Sequence, residues 1–504
     1  MNDQASGGRS VARRTAAGAG WIMAWRMLNR TLGLVSTLIL VRLLEPTDFG
    51  LVAIATGFVT SVDALSAIGV QDALIREKER SRDLYDTGFG LSIIRGLITA
   101  TLIGLLALPL AGFFSEPRLT VVMLVLAAGT IITSFENIGT VDFRRELKFH
   151  KEFNIQMVSR LVATATTIVT AVIFHSYWAL VAGILAGRGI RLLQSYTMSS
   201  YRPRFALRAW RRIIGFSLWT WGFSLVIQAR ERADSLVLGH IFGTTSVGLF
   251  AVGSELGSLP TTEIVEPLNR AMFSGFVAGH HSEEGPAAMF LAATGLGLLI
   301  TMPTGFGISM IAEPMVRLTL GAPWISAVPI IEIMAIASTV TVFSYVSAAL
   351  LNAIGLPRLT FSLVAFSAAM RFPLMLILVQ VMGLPGAAMA IAISSGIDQV
   401  LFMWFTLPRI GITPTRLLFG FWRTIVATAA MIAALEILGM AWTPTTAAGV
   451  DGLILDLTTR IAIGASTFAM VIIVTWLAAG RPDGPERVIL GALSSVYRRY
   501  VPHG

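Results

Sequence analysis

From Trp21 to Ala479 the chain is a near-continuous succession of apolar blocks, each roughly 20 residues long, separated by short polar joints. A block of that length crosses the hydrocarbon core of a bilayer, about 30 Å, as one helix. In lipid every backbone N–H and C=O must find its partner within the chain, so such blocks fold as helices and not as open sheets. The residue balance agrees: 55% are hydrophobic and 13% charged, where an ordinary soluble domain carries about 25% charged residues. Mean hydropathy is +0.74. These features predict an all-α integral membrane protein.

By length the spans fall at 21–44, 49–71, 87–111, 119–140, 154–174, 177–198, 213–241, 247–269, 288–312, 327–353, 360–382, 385–407, 419–441 and 458–479, about 14 in all. The joints alternate in charge. One set carries Arg76, Lys78, Arg80 and Arg82, then Arg144, Arg145, Lys148 and Lys151, then Arg202, Arg204, Arg208, Arg211 and Arg212, then Arg409 and Arg416. The other set holds little beyond Arg118 and Arg317, with acidic Glu45, Asp48, Asp451 and Asp456. Positive joints stay inside, so both termini are expected in the cytoplasm. The expected organisation is a stub over 1–20, helices 1–6 over 21–198, a basic linker over 199–212, and helices 7–12 over 213–407. Two further helices occupy 408–479 and a cytoplasmic tail 480–504. The apolar run that follows the polar start is longer than a signal-peptide core and shows no evident small-residue cleavage site, so a cleaved signal peptide is not expected.

Several function classes drop out. No joint is long enough for a folded catalytic domain, so an enzyme with a soluble domain is excluded. A phosphate-binding G-x-x-x-x-G-K followed by Ser or Thr is absent, so the chain does not hydrolyse ATP itself. Cysteine is absent, which removes disulfides and thiolate metal sites. The six histidines are scattered, with no metal-binding spacing. The net charge of +9 resides mostly in alternate joints, so it reads as membrane orientation and not as a nucleic-acid surface.

An internal repeat is visible. Leu43-Leu44-Glu45-Pro46-Thr47-Asp48-Phe49-Gly50-Leu51 parallels Ile241-Phe242-Gly243-Thr244-Thr245-Ser246-Val247-Gly248-Leu249. Each is a helix end, a short polar turn, and a Gly-Leu step opening the next helix. Parallel repeats of this kind are a transporter feature. They predict two pseudo-symmetric bundles around a central cavity. Gly183-x-x-x-Gly187 and Gly253-x-x-x-Gly257 predict close helix contacts.

Charges within spans point to the site, because each costs about 2.5–3.5 kcal/mol on insertion scales and usually faces a cavity or a partner. Arg26 and Arg30 share a face of helix 1; Arg95 lies on helix 3, Arg188 on helix 6, Arg230 and Arg232 on helix 7, and Arg371 on helix 11. Together they predict a cationic, water-filled cavity. Asp63, Asp234 and Glu255 are the expected charge-balancing or cation-coupling groups. Arg160, Arg191 and Glu136 lie within about two turns of a span end, where long side chains can snorkel to headgroups. They read as structural. Arginine suits a phosphate because its planar fork donates paired hydrogen bonds, so the cavity is expected to take a diphosphate bearing a sugar chain. Arg30 and Arg230, helped by Arg232, are the expected diphosphate ligands.

Stretches of the first half carry a family likeness. They are Val41-Arg42-Leu43-Leu44-Glu45-Pro46-Thr47-Asp48-Phe49-Gly50-Leu51, Ala73-Leu74-Ile75-Arg76, Phe143-Arg144-Arg145-Glu146-Leu147-Lys148-Phe149, Tyr177-Trp178-Ala179-Leu180-Val181-Ala182-Gly183, Arg232-Ala233-Asp234-Ser235-Leu236-Val237-Leu238-Gly239 and Gly248-Leu249-Phe250-Ala251. In these the chain resembles the lipid-linked oligosaccharide flippases of the multidrug/oligosaccharidyl-lipid/polysaccharide exporter superfamily, above all the exopolysaccharide and colanic-acid-type branch. The second half is similar in hydropathy only. The resemblance implies alternating access by two lobes. It implies an undecaprenyl-diphosphate-linked repeat unit as cargo, for exopolysaccharide, capsule or lipopolysaccharide synthesis. No cofactor is implied beyond a coupling cation, proton or sodium. Membrane lipid and polysaccharide polymerase and export proteins are the implied partners. A multidrug or metabolite exporter of the same superfamily is the alternative, disfavoured because a pump for cations wants acidic residues in its cavity.

Overall fold

A computed structural model describes residues 28–66, 70–76, 81–146, 148–210, 218–265, 285–447, 449–482 and 485–486, with side chains described only in part over 218–236. The described residues are helical, with no strand among them. They separate into two compact units, Met1–Gly248 and Leu249–Gly504.

The first unit contains α1 (28–43), α2 (Pro46–Leu65), α3 (Val70–Arg76), α4 (Arg82–Phe113), α5 (Arg118–Ser134), α6 (Val141–Arg145), α7 (Phe149–Phe174) and α8 (Trp178–Met198). A further helical stretch, α9 (Leu218–Gly257), kinked at Gly243, carries the chain across the division. The second unit adds α10 (Gly285–Met310), α11 (Ala312–Thr319), α12 (Val328–Thr339), α13 (Val342–Ala353), α14 (Pro357–Met382), α15 (Leu384–Thr406), α16 (Pro414–Ile437) and α17 (Gly449–Ala478).

Nine described helices are long and apolar enough to cross a membrane, or ten if one bent pair is a single span. The chain is thus a multi-pass membrane protein. Hydropathy and helices part company at breaks. The expected joint between spans 213–241 and 247–269 is present as a kink and not a loop, with Gly243 at φ 76° and ψ −175° inside α9. The expected span 327–353 is two twelve-residue helices, α12 and α13. The expected span 119–140 is α5 followed by a 65° bend into residues 138–145. An apolar window cannot register a break that leaves the apolar run intact.

The bend after α5 has a local cause. Breaking a helix in an apolar setting frees backbone groups that need partners. Asn137 supplies three. Its side chain accepts from Gly139 N (2.9 Å) and donates to the Tyr201 carbonyl (2.6 Å), and its N–H donates to Ser195 Oγ (2.9 Å).

The 32-residue α4 is about 48 Å long at 1.5 Å per residue, longer than the bilayer core. Its first turn anchors the extended segment after α8. Asp86 Oδ1 accepts from the Tyr201 hydroxyl (2.7 Å) and from Arg204 N (2.8 Å), and Thr87 Oγ1 accepts from Ala209 N (3.2 Å). Beside them the Tyr85 hydroxyl donates to Asp142 Oδ1 at 2.5 Å. The basic segment 199–209 is a strap tied down by the buried carboxylate of Asp86 together with Thr87 and Asn137.

Glycines set the helix approaches. A Cβ at Gly183 of α8 would overlap Thr167 Oγ1 of α7, and one at Gly187 would meet Ala163 Cβ at 3.0 Å. In the second unit Gly253 and Gly257 lie against Ile330 and Met334 of α12. Both small-residue pairs are therefore close contacts. The repeat also has a physical meaning. A Cβ at Gly50 would overlap the Thr244 carbonyl, and a Cβ at Gly248 would overlap the Pro46 carbonyl. Those pairs occupy equivalent places in the repeat, so the two joints cross each other with two-fold symmetry.

Candidate functional site

The packing of α7 on α8 turns a polar stripe of each inward. On α7 the stripe is Gln156, Ser159, Arg160 and Ala163; on α8 it is Ile184, Gly187, Arg188 and Arg191. Steps of three and four residues place each set on one helix face. With Asn29 of α1, Asp63 of α2, Arg95 of α4, Thr130 and Thr133 of α5, the bend residue Glu136, and Arg144 of α6, they enclose a cavity of about 550 Å³ within the first unit. Five arginines and two carboxylates line it.

Small residues make room for the guanidinium groups. A Cβ at Gly129 would meet Arg188 Nη1 at 2.6 Å, and that nitrogen donates to the Leu126 carbonyl at 3.2 Å. Arg160 Nη2 lies over Gly33 of α1, 3.3 Å from where its Cβ would be. Gly96 of α4 packs on Ser134 of α5 with no room for a Cβ, which brings its neighbour Arg95 to the α5 bend. Two ion pairs partly neutralise the wall: Arg95 Nη2 to Asp63 Oδ1 at 3.4 Å and Arg191 Nε to Glu136 Oε2 at 3.1 Å. Arg144 Nε donates to Glu152 Oε1 at 2.8 Å. Positive charge remains in excess.

The structure thus brings together Arg95, Arg188 and Asp63 of the expected set. Arg30 sits on α1 beside the lining residue Asn29, half-buried and off the cavity wall. Asp234 is buried on α9, away from that wall. Arg26 and the side chains of Arg230 and Arg232 lie outside the described residues. Arg371 and Glu255 belong to the second unit, each half-buried. Arg160, Arg191 and Glu136, read from sequence as snorkelling groups, face the cavity instead. For Glu136 the bend at 135–137 is the reason, since depth counted along a straight helix fails at a break; α7 begins at Phe149, ahead of the expected 154, which sets Arg160 further from the helix end. Arg144 also joins the wall. The signal that finds these groups is the three-and-four spacing of polar residues along α7 and α8.

Residues 39–329 match the model of a family described as polysaccharide biosynthesis protein. The succinoglycan biosynthesis transport protein ExoT of Rhizobium meliloti (strain 1021) is 22% identical over 324 residues, 62% of this chain and 65% of that protein. The matched stretch thus spans just under two thirds of that relative. The lipopolysaccharide biosynthesis protein WzxC of Escherichia coli (strain K12) is 21% identical over 78% of this chain and 80% of that protein. Among solved structures, the lipid II flippase MurJ in an inward closed conformation superposes with a TM-score of 0.71, at 14% identity, over 91% of this chain and 99% of that chain. An inward-facing multidrug resistance MATE transporter of the MOP superfamily gives 0.60, at 18% identity, over 76% and 94%. The fold is that of these transporters.

Proposed function

Because the chain belongs to the polysaccharide biosynthesis protein family, we propose that it is a flippase for polyprenyl-diphosphate-linked oligosaccharides. It moves repeat units from the cytoplasmic to the periplasmic leaflet of a bacterial inner membrane for exopolysaccharide, capsule or lipopolysaccharide assembly. The observation that carries the reading is the cavity of the first unit, where arginines outnumber carboxylates. A diphosphate diester carries two negative charges, and guanidinium forks donate paired hydrogen bonds to its oxygens. The sugar chain occupies the remaining polar volume, while the polyprenyl tail stays in lipid.

The steps are binding, rocking of the lobes and release. No covalent bond is made or broken, so the chain acts as a transporter and not an enzyme. A coupling cation, proton or sodium, or the membrane potential drives the cycle. Polymerase and export proteins take up the cargo on the far side. A multidrug exporter for cations is the weaker reading, since the cationic wall would repel its cargo.

Complementation of a strain lacking its flippase tests this, with exopolysaccharide output and membrane expression both scored. The double variant Arg95→Ala/Arg188→Ala is expected to abolish output at normal expression. Lysine at both places keeps the charge and loses the fork, so output falls in part. Wild-type output from the alanine pair overturns the assignment of the cavity. Arg30→Ala/Arg230→Ala reports separately on the pair expected from sequence.

A further inference from the structure

Glu136 differs from every other carboxylate near the cavity. It sits on the bend between α5 and α6, and its side chain is 16% exposed. Oε2 accepts from Arg191, while Oε1 is buried with no hydrogen-bond partner among the described residues. It also borders two spaces. One is the 550 Å³ cavity; the other is a chamber of about 50 Å³, lined further by Gln71, Thr140, Glu152 and Ser195. The chamber is large enough for a water molecule. Glu136, Arg144, Gln156 and Arg191 form the wall common to both spaces.

We propose that Glu136 is a proton-exchanging site whose protonation is linked to anion occupancy of the cavity. The inference rests on the diphosphate reading above. The charged groups facing Glu136 decide its state. The cations lining the same space are Arg191 and Arg188 of α8, Arg144 of α6, Arg160 of α7 and Arg95 of α4, and of these Arg191 is bonded to Glu136. Opposing them are Glu152 of α7, already bonded to Arg144, and Asp63 of α2, already paired with Arg95. Asp63 is half-exposed.

An entering diphosphate competes with Glu136 for Arg191 and Arg188. A buried carboxylate that loses its cationic partner is costly as an anion and takes a proton instead. The balance is simple: one proton passes from the bulk solvent through the chamber to Glu136 as the diphosphate seats, forming the neutral acid and leaving the buffer one proton poorer. It leaves when the diphosphate departs and Arg191 returns. Cargo and proton then bind together, and the net charge added to the cavity is smaller than that of the cargo alone.

The test uses the full-length protein in nanodiscs and geranyl-diphosphate-linked glucose, a soluble diphosphate diester that does not titrate near neutral pH. Calorimetry in buffers of different ionisation heat counts the protons taken up. Wild type is expected to take up close to one proton per ligand, and its affinity to fall up to about tenfold per pH unit on the alkaline side. Glu136→Gln should bind with no uptake and a flat pH profile, and Glu136→Asp should keep the uptake. Arg191→Gln serves if the Gln variant does not fold. There Glu136 has already lost its hydrogen-bonded cation before the ligand arrives, so proton uptake per bound ligand should fall. Undiminished uptake in Glu136→Gln or Arg191→Gln overturns the inference and leaves the diphosphate reading standing, as does uptake abolished by Asp63→Asn alone. No binding by wild type overturns both.

Discussion

The two units handle arginine in opposite ways. In the second, Arg423 is 9% exposed and bound through two nitrogens to Glu486, at 2.7 and 3.0 Å. Arg460 is 4% exposed, paired with Asp456 and donating to the Met440 and Thr443 carbonyls. Each is a closed arrangement inside apolar packing. In the first unit Arg95, Arg160, Arg188 and Arg191 gather around a common open volume. A solitary buried arginine with its own carboxylate holds helices together; several around one space are available to a ligand. The charge is the same, and the company it keeps decides the role.

The largest expected effect lies in the closed arrangement. Arg423→Ala leaves Glu486 buried and unpaired, which should cost about 3–5 kcal/mol. Thermal unfolding in detergent reads this as a large fall in Tm. Replacing both partners by apolar residues of similar volume should recover most of it, and a small loss in the single variant would break the comparison.

Next comes the α7–α8 contact that shapes the open arrangement. Gly183→Val drives side-chain atoms into Thr167 and the Ala163 carbonyl. Overpacking of this kind should cost about 1–3 kcal/mol, and transport should fall with stability.

Arg188→Ala should separate the two properties. Its guanidinium faces the cavity and holds one carbonyl bond, so stability should change by less than about 1 kcal/mol. Transport in the complementation assay should be lost. Equal losses of stability in Arg188→Ala and Arg423→Ala would erase the distinction drawn here.

The smallest effect is expected at the turn between α4 and α5. Both oxygens of Glu116 accept from Arg118 at 2.8 Å. This guanidinium holds the Glu116 carboxyl below the usual carboxylate range, against the opposing effect of burial. A carboxyl lowered on folding stabilises above its unfolded pKa, and the contribution is lost as pH falls through the folded value. The pair is partly solvated, so the effect should be below about 1 kcal/mol. Tm followed down through the carboxylate range should drop slightly more for wild type than for Glu116→Gln.

Much of this was legible beforehand, and the failures share a cause. Apolar length revealed the helices, and the cost of buried charge singled out Arg95, Arg188 and Asp63. The small-residue pairs on α8 and α9 marked their contacts. Glu136, Arg160 and Arg191 were visible too, but were judged by distance from a span end. That measure ignores breaks and helix faces: Asn137 breaks the run at Glu136, while Arg160 and Arg191 lie on the cavity-lining faces of α7 and α8. The strap was less legible still. Tyr85, Asp86, Asp142 and Tyr201 are far apart in sequence and carry no periodic signal, so only the folded chain shows that they meet.

The crossing of Gly50 and Gly248 has the form of an isologous interface, in which the same patch meets itself across a two-fold axis. Such interfaces ordinarily join two identical subunits. Here both sides of the patch lie on one polypeptide, within the first unit. Separate identical chains must carry every substitution twice. A single chain can change one side and leave the other, except where the two joints touch. At the crossing neither side has that freedom: a side chain at Gly50 or at Gly248 drives into the backbone of the opposite joint, so the two positions are held to glycine as a pair.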